Sequence, residues 1–455
     1  MGHLDLSTVY PSASMISVAA LSLFALLAYR IWRNSPPHIL KDIRGPPSPS
    51  FWLGIDKVFY HAVVGDLDFR WIREYGPTWM VKGCLGEEVL WTVDPRALQY
   101  IFHTSGYKFC KGIVHDMNAL VFTGDSIVIQ DFCFDHRFGV FDDNGEDSEL
   151  ARAFNNLFVD LSLHPPSWNL IFKATWRYLP RSILTCLKYL PTKEYRRSST
   201  FLQTAIRTGK ALASETAAGK KSGKEIMSIL VQSNLSEDTR FKLSDRELYS
   251  QIAALLFAGH NTSSLSLTWL LYELSKHPED QQRIRHEIKA ARAQAETRGD
   301  DDLLPSDLND MSFTNAIIKE GLRFHPIVPI LLREAQEDCI IPLAQPIETN
   351  SGKIVQEIPI LKGQSIRASV YGLKSVWGED ADEWNPDRFL TTKIERTSLG
   401  VYANLVLQMQ AFLVELIENF EYRLPEGVDI VPLHAGFMIP MIAGKVHEGI
   451  QMPLQ

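Results

Sequence analysis

The chain has 455 residues, of which 45% are apolar and 22% charged, with a formal net charge of −8. This length allows two or three average domains or one large domain with a single core. The acidic balance argues against a nucleic-acid-binding protein, which needs a basic face. Five cysteines without a CxxC pair indicate a reducing compartment and not a disulfide framework.

A mostly apolar stretch, MISVAALSLFALLAYRIW, occupies residues 15–32. It is close to the length of about 20 residues that a transmembrane helix needs. Basic residues are concentrated at and after its end: Arg30, Arg33, Lys41 and Arg44. The positive-inside rule therefore predicts a single-pass anchor over residues 1–34, with the downstream side in the cytosol. A cleaved signal peptide is the alternative, although the basic n-region is missing.

A proline-rich segment, SPPHILKDIRGPPSPS, follows at residues 35–50. Proline fixes φ and removes a backbone donor, so this segment is predicted to be a stiff, extended hinge and not the start of a helix. It separates the anchor from a globular body at residues 51–455.

The body is predicted to be mainly α with a small β lobe, and not doubly wound. Early elements are a helix at Leu67–Tyr75, a hairpin at Trp79–Thr92 with its turn near Gly86-Glu87, and a helix at Pro95–Phe102. Further strands are expected only within Cys339–Ile366. From Glu149 to Arg323 the pattern is helical, including Ser222–Leu235, Ser244–His277 and Pro278–Thr297.

The helix predicted at Ser244–His277 is the central element of the body. Ser244 and Glu247 form a capping-box pattern, and Pro278 ends the helix. A helix that is apolar on all sides is a membrane span or the centre of a large domain. Five polar residues at mid-span, HNTSS at 260–264, favour the second. These five residues, called the polar notch below, predict a polar partner beside the helix, such as a cofactor, oxygen or a proton path.

Glu320 and Arg323 share one face of a helix predicted at Met311–Phe324, so they can form an ion pair. A surface pair contributing under about 1 kcal/mol is the alternative, because Glu-x-x-Arg recurs elsewhere in the chain. Here, however, the neighbours are apolar, and a buried pair needs further hydrogen-bond partners. Arg388, in the WNPDRF segment at 384–389, is the predicted partner.

Three segments in this order, AGHNT at 258–262, KEGLR at 319–323 and NPDRF at 385–389, resemble motifs of the cytochrome P450 family. Glu320 follows Thr262 by 58 residues, and Arg388 follows Arg323 by 65. The anchor and hinge resemble those of a microsomal, fungal-type member. The resemblance implies the cytochrome P450 fold behind one transmembrane helix.

The resemblance also implies function. A member would be a heme-thiolate monooxygenase on the cytosolic face of the endoplasmic reticulum, inserting one oxygen atom from O2 into a small apolar substrate. Its electrons would come from an NADPH-dependent reductase.

The resemblance also implies roles for individual residues around a heme. Thr262, Asn261 and Gly259 would be catalytic, with Thr262 delivering protons to iron-bound oxygen. Asn261 stands where the family has an acid, and an amide cannot exchange a proton as a carboxylate can. A hydroxyl bonded to a carbonyl one turn back is the alternative for Thr262. Ala258 and Arg333 would contact heme, with Arg333 on a propionate; an exposed arginine is the alternative there.

The family's iron ligand is missing. A cysteine thiolate would lie in a glycine- and arginine-containing loop just before a long helix. The approach at Ser398–Leu405 and the helix at Gln408–Phe420 are present, but the last cysteine, Cys339, precedes Leu405 by 66 residues. We therefore predict no metal ligand and an internal loss near 405/406.

A second loss is predicted near 130/131. Thr123–Val128 resembles the lead-in to the family's Trp-x-x-x-Arg helix, but DFCFDHRFGVFDD follows directly from Asp131. Skipped exons or a faulty gene model would explain two clean excisions.

As written, the chain is predicted to bind heme weakly or not at all and not to hydroxylate. A non-catalytic, membrane-anchored protein that binds lipids or a partner is one alternative, and a non-functional product is the other. Residues 168–178 and 180–190 are either the membrane-facing lip of an access channel or ordinary amphipathic packing.

Overall fold

The structure is a computed structural model of the chain. It describes residues 39–123, 157–189, 192–217, 242–378, 380–391 and 403–455, together with residues 29, 152, 153 and 234. The predicted anchor and the Ser222–Leu235 helix lie, except for one residue each, outside the described residues. The 130/131 junction lies wholly outside them.

The described part of the chain is mainly helical. Its α-helices are α1 (Asp56–His61), α2 (Asp66–Tyr75), α3 (Pro95–Gln99), α4 (Ile113–Thr123), α5 (Leu157–Ser162), α6 (Ser167–Thr175), α7 (Arg181–Leu184), α8 (Lys193–Ala217), α9 (Asp245–Lys276), α10 (Pro278–Arg298), α11 (Pro305–Asp310), α12 (Ser312–Phe324), α13 (Arg388–Thr391) and α14 (Ala403–Asn419).

A small sheet region accompanies the helices. Its strands are β1 (Thr78–Lys82), β2 (Glu88–Thr92), β3 (Phe109–Cys110), β4 (Ile330–Ala335), β5 (Cys339–Glu348), β6 (Ile354–Ile360), β7 (Ser365–Ser369), β8 (Ile430–His434) and β9 (Met438–Ile442). One five-stranded sheet has the order β1-β2-β7-β4-β3, while β5-β6 and β8-β9 form separate pairs. Only β2 and β7 pair in parallel among these strands.

The prediction of a mainly α body with a small β lobe is confirmed, but the limits set for the strands are wrong. β3, β4, β8 and β9 fall outside the two predicted regions. Each is short, and β4 and β3 complete a sheet whose other members are distant in sequence. Pairing across such separations is decided by tertiary packing and leaves little local signal.

The central helix α9 is confirmed as a long helix that begins at the predicted cap. The Ser244 hydroxyl accepts a hydrogen bond from the Glu247 backbone N–H, and the Glu247 carboxylate accepts one from the Ser244 N–H at 2.9 Å. The helix continues through the polar notch to Lys276. Its second half packs on α12 through Leu270 and Leu274, both fully buried. This core holds α12 in place.

The hinge is not wholly extended, because Ile39–Asp42 forms a short 3-10 helix. That turn is fixed to the loop between β5 and β6. The Asp42 carboxylate accepts hydrogen bonds from the Ser351 backbone N–H at 2.9 Å and the Ser351 hydroxyl at 2.7 Å. The Asn350 N–H also donates to the Asp42 carbonyl, at 2.7 Å. The segment is therefore docked to the body from Ile39 onward.

Candidate functional site

A buried ion pair lies near the end of α12. Glu320 is fully buried, and the side chain of Arg323 is 4% exposed. The Arg323 guanidinium donates to both carboxylate oxygens of Glu320, from Nε at 2.6 Å and from Nη2 at 2.7 Å. This two-point geometry is the strongest arrangement of an arginine–carboxylate pair. The pair is buried, so the alternative of a solvated surface ion pair is wrong.

Further partners come from the segment after β7. Arg388 Nε lies 3.3 Å from Glu320, and the Asn385 backbone N–H donates to the same carboxylate at 2.8 Å. Arg323 in turn donates to the carbonyls of Ala381 and Glu383, at 2.8 and 3.1 Å. Since both charged groups are hydrogen-bonded on several sides, their desolvation is compensated. The structure thus brings Glu320, Arg323 and Arg388 together.

Residues outside the motifs hold this network in place. Glu287 of α10 accepts hydrogen bonds from the backbone N–H groups of Phe313 and Thr314, both at 2.8 Å. These are first-turn donors of α12, whose N-cap residue Met311 provides no side-chain cap. Sequence reasoning missed this contact, because nothing local links residue 287 to residue 313.

The C-terminal end of α12 is tied to α9. His325 Nε2 lies 2.7 Å from the Glu273 carboxylate, and its ring stacks on Trp269 with centroids 4.4 Å apart. Burial alone would raise the pKa of Glu273, but His325 and Lys276 outweigh it and lower that pKa. The polar notch and the ion network are therefore carried by two helices held in fixed register.

The notch residues of α9 bond within their own helix. The Thr262 hydroxyl donates to the Ala258 carbonyl at 2.8 Å, and the Asn261 side-chain amide donates to the Phe257 carbonyl at 3.3 Å. This is the bond one turn back that was the alternative for Thr262. Ala258 and Gly259 are half-buried beside them. A proton-delivery role for Thr262 stays a prediction.

Arg333 lies on β4, away from the Glu320 network. Its Nη1 donates to the Leu332 carbonyl at 2.9 Å, and its guanidinium sits 4.8 Å from the centre of the Phe102 ring. The side chain is half-buried, and burial lowers its pKa. Within the described ranges it forms no ion pair with a carboxylate. It is therefore available to an anionic ligand.

The structure describes four of the five cysteines, all as free thiols. Cys84 is buried, donates to the Leu53 carbonyl at 3.5 Å, and has its pKa raised by burial. Burial also raises the pKa of Cys339. The thiols of Cys110 and Cys186 donate to nearby backbone carbonyls. Cys133 lies outside the described residues. In the part of the chain with described coordinates, no group of three His, Cys, Asp or Glu could hold a metal ion.

A heme fits one half of this arrangement and not the other. Its carboxylate edge has a half-buried arginine, Arg333, that lacks a carboxylate partner within the described ranges. Its iron has no thiolate, because the sequence holds no cysteine after Cys339. Thiolate ligation is what favours O–O cleavage in this class.

Within the described ranges, no helix is both long enough and apolar enough to cross a membrane. The predicted anchor at residues 1–34 is, apart from residue 29, outside those ranges.

The helical body and the small β lobe fit the fold that the sequence resemblance implies. The sequence profile of the Cytochrome P450 family matches residues 108–402. The chain therefore belongs to the cytochrome P450 family. Proteins of this family bind heme, and heme-thiolate monooxygenation is their general chemistry.

Curated fungal proteins are similar to this chain, two of the three named here along almost their whole length. Cytochrome P450 monooxygenase 205 of Postia placenta is 25% identical, with 94% of this chain and 96% of that protein aligned. A ganoderic acid synthetase of Ganoderma lucidum is 26% identical over 91% of this chain and 94% of its own. Cytochrome P450 monooxygenase 212 of Postia placenta is 31% identical over 51% of this chain and 46% of its own.

Proposed function

We propose that the gene specifies a membrane-anchored heme-thiolate monooxygenase, and that the 455-residue chain is an incomplete form that does not hydroxylate. The complete enzyme would insert one oxygen atom from O2 into a small lipophilic substrate. It would sit on the cytosolic face of the endoplasmic reticulum and receive electrons from an NADPH-dependent reductase.

One observation carries this proposal: the buried network of Glu320, Arg323 and Arg388 is complete, while the iron ligand is absent from the sequence. Gradual decay of a gene would leave substituted residues at such buried charged positions as well as at the ligand. Substitution of one member would leave its partner as an unpaired buried charge, which is costly. An intact buried network in a chain that lacks the ligand loop is better explained by excision of that loop from the sequence.

The lengths of the alignments support excision. The alignment with monooxygenase 205 extends over 533 positions, yet 94% of 455 residues is only about 428. About 105 aligned positions therefore have no residue from this chain. These gaps lie inside the aligned region, which includes 96% of the relative.

The surroundings of the second junction fit the same proposal. Leu405 and Val406 lie inside α14, whose later residues Met409, Leu413 and Ile417 are buried against α10 and α12. The later part of α14, which should follow the ligand loop, is thus present and packed, and the loop would enter between Leu405 and Val406.

Two measurements test this proposal. Transcripts should be sequenced across residues 130–131 and 405–406, and we expect longer transcripts with extra codons, the second set encoding a cysteine. The purified 455-residue chain should be loaded with heme, reduced and exposed to CO, and we expect no thiolate-type spectrum. A thiolate-type spectrum from this chain would overturn the proposal, as would exclusively short transcripts.

A non-catalytic binding protein is the second candidate. It is favoured by the several packed cores of the described body, which form without the missing loop. Accumulation of the full 455-residue chain in cells, as a folded iron-free protein, would favour it. Rapid degradation would instead mark a non-functional product.

A further inference from the structure

Two histidine rings stack on each other where α1 meets the turn that joins α5 to α6. The rings of His61 and His164 have centroids 4.5 Å apart, and their planes are within 8° of parallel. His61 is the last residue of α1 and is exposed, while His164 lies in the turn and is half-buried. Both rings can therefore be reached from solvent.

The backbone is fixed on both sides of this histidine pair. Asp56, at the start of α1, accepts a hydrogen bond from the Cys84 backbone N–H at 2.7 Å and forms an ion pair with Arg367 of β7. His164 has a φ of +47°, in the left-handed region that residues other than glycine seldom adopt, and two prolines follow it. Such a conformation costs free energy and persists only where the surrounding structure imposes it. The fold thus holds the His164 ring against His61.

The separation of the two rings suits a shared metal ion. An ion that is bound to both rings by bonds of about 2.0–2.1 Å at a tetrahedral angle needs the two nitrogens about 3.3 Å apart. The ring centroids are 4.5 Å apart, so one ring has to tilt towards the other about its Cβ–Cγ bond. The energy profile of this torsion is broad in histidine. An ion can therefore bridge the rings while the backbone stays in place.

The charges around the pair do not exclude a cation. Lys57 precedes His61 by one turn of α1, and both line a cavity of about 300 Å³ whose wall carries no other charged residue. Because both side chains are exposed, water screens the repulsion between the Lys57 ammonium and an ion at His61. Among the residues that the structure describes, no carboxylate or thiol joins the pair to make a site with three protein ligands. Water has to complete the coordination shell.

We propose that His61 and His164 form a surface site for a divalent transition-metal ion of the Zn²⁺, Ni²⁺ and Cu²⁺ class. Imidazole nitrogen suits these ions, whereas Mg²⁺ and Ca²⁺ require oxygen ligands. The bound ion links α1 to the turn between α5 and α6. This site is separate from the missing iron ligand and does not rest on the proposed function.

Binding of Ni²⁺ to the full 455-residue chain tests the site. Ni²⁺ is the probe because it binds imidazole and, unlike Cu²⁺, does not oxidise free cysteines. His61→Phe keeps an aromatic ring in the stack, and His164→Asn keeps a residue that tolerates the left-handed backbone. In calorimetric titrations each variant should bind Ni²⁺ at least about tenfold more weakly than the parent chain, because a single ring cannot chelate.

His447→Phe is the matched control, since His447 is exposed and belongs to a different segment, Val446–Glu448. A loss of Ni²⁺ affinity in His447→Phe equal to that in His61→Phe would place the binding in scattered surface histidines and reject the site. The variant with both His61→Phe and His164→Asn should bind no more weakly than either single variant, because one substitution already breaks the chelate. Losses that multiply in the double variant would show two separate ligands and overturn the proposal.

Thermal unfolding provides a second measurement. An ion that binds the folded chain raises its Tm, so Ni²⁺ should raise the Tm of the parent chain and of His447→Phe. The increase should be much smaller in His61→Phe and His164→Asn. An equal increase with Mg²⁺ would show a general effect of cations and contradict the site. Neither result bears on the proposed function, which is decided by transcripts and by the spectrum of the heme-loaded chain.

Discussion

Arg388 reaches the carboxylate of Glu320 from 68 residues away, with its Nε 3.3 Å from an oxygen of that fully buried side chain. Arg388 also donates to the Asp380 carboxylate at 3.1 Å and to the Asp380 carbonyl at 3.0 Å. It therefore joins α12 to the irregular segment before α13. This joint is independent of the iron ligand, which is why the network can be complete in a chain that lacks it.

Glu320→Gln should destabilise the protein by about 3–5 kcal/mol, because buried Arg323 loses its counter-charge and Arg388 keeps only the pair with Asp380. Urea unfolding of the full chain in detergent, followed by circular dichroism, measures the change. Glu421→Gln is the control, since Glu421 forms an exposed pair with Arg423 and should show little change. Similar losses in both variants would mean that burial of the network does not matter.

Glu287→Ala should cost about 1–2 kcal/mol, since α12 then loses the acceptor for two first-turn N–H groups. Glu287→Gln, which keeps one side-chain oxygen, should fall between Ala and the parent chain. Glu296→Ala on the exposed side of the same helix α10 is the control for lost helix charge. A cost no larger than that of Glu296→Ala would exclude a capping role.

Gly321→Ala should destabilise by about 1–3 kcal/mol, because the added methyl carbon would lie 2.7 Å from Leu270 Cδ1. The same substitution should cost much less in a Leu270→Ala background, where that methyl group is absent. The double-mutant cycle measures this coupling directly. Additive effects would mean that the two helices separate instead of clashing.

His434 predicts a pH dependence. Burial, and then Arg367, lower its pKa from 6.5 to about 4, so the folded state resists its protonation. The stability that the neutral His434 ring contributes is fully present above pH 6.5. It is lost as the pH falls towards 4, and the loss amounts to at most about 3 kcal/mol. His434→Phe keeps the ring contact with Phe59, whose centroid is 4.7 Å away.

As the pH falls from 6.5 to 4, the parent chain loses this stability and the variant does not. The free energy of unfolding of His434→Phe, relative to the parent chain, should therefore rise as the pH falls. Denaturant titrations at four or five pH values measure it. The exposed His447, replaced by Gln, should show no such trend. A difference between His434→Phe and the parent that is constant with pH would show that the His434 ring is protonated equally in both states.

Several helices were readable from the sequence because their ends carry local chemistry. The capping box at Ser244 and the proline at 278 bracket α9 to within one residue of its observed bounds. The pair Glu320–Arg323 is predicted from its spacing and its apolar neighbours, and Arg388 is predicted as the further partner that a buried pair needs. The absence of a cysteine after Cys339 is likewise a property of the sequence that no fold can change.

Other features were decided by tertiary structure. The capping of α12 by Glu287 and the stacking of His325 on Trp269 join residues with no mutual signal in the chain. Strands β3, β4, β8 and β9 were missed for the same reason. Local sequence sets the conformational preference of a segment over a few residues, whereas burial and charge depend on neighbours that only folding brings within a few ångströms.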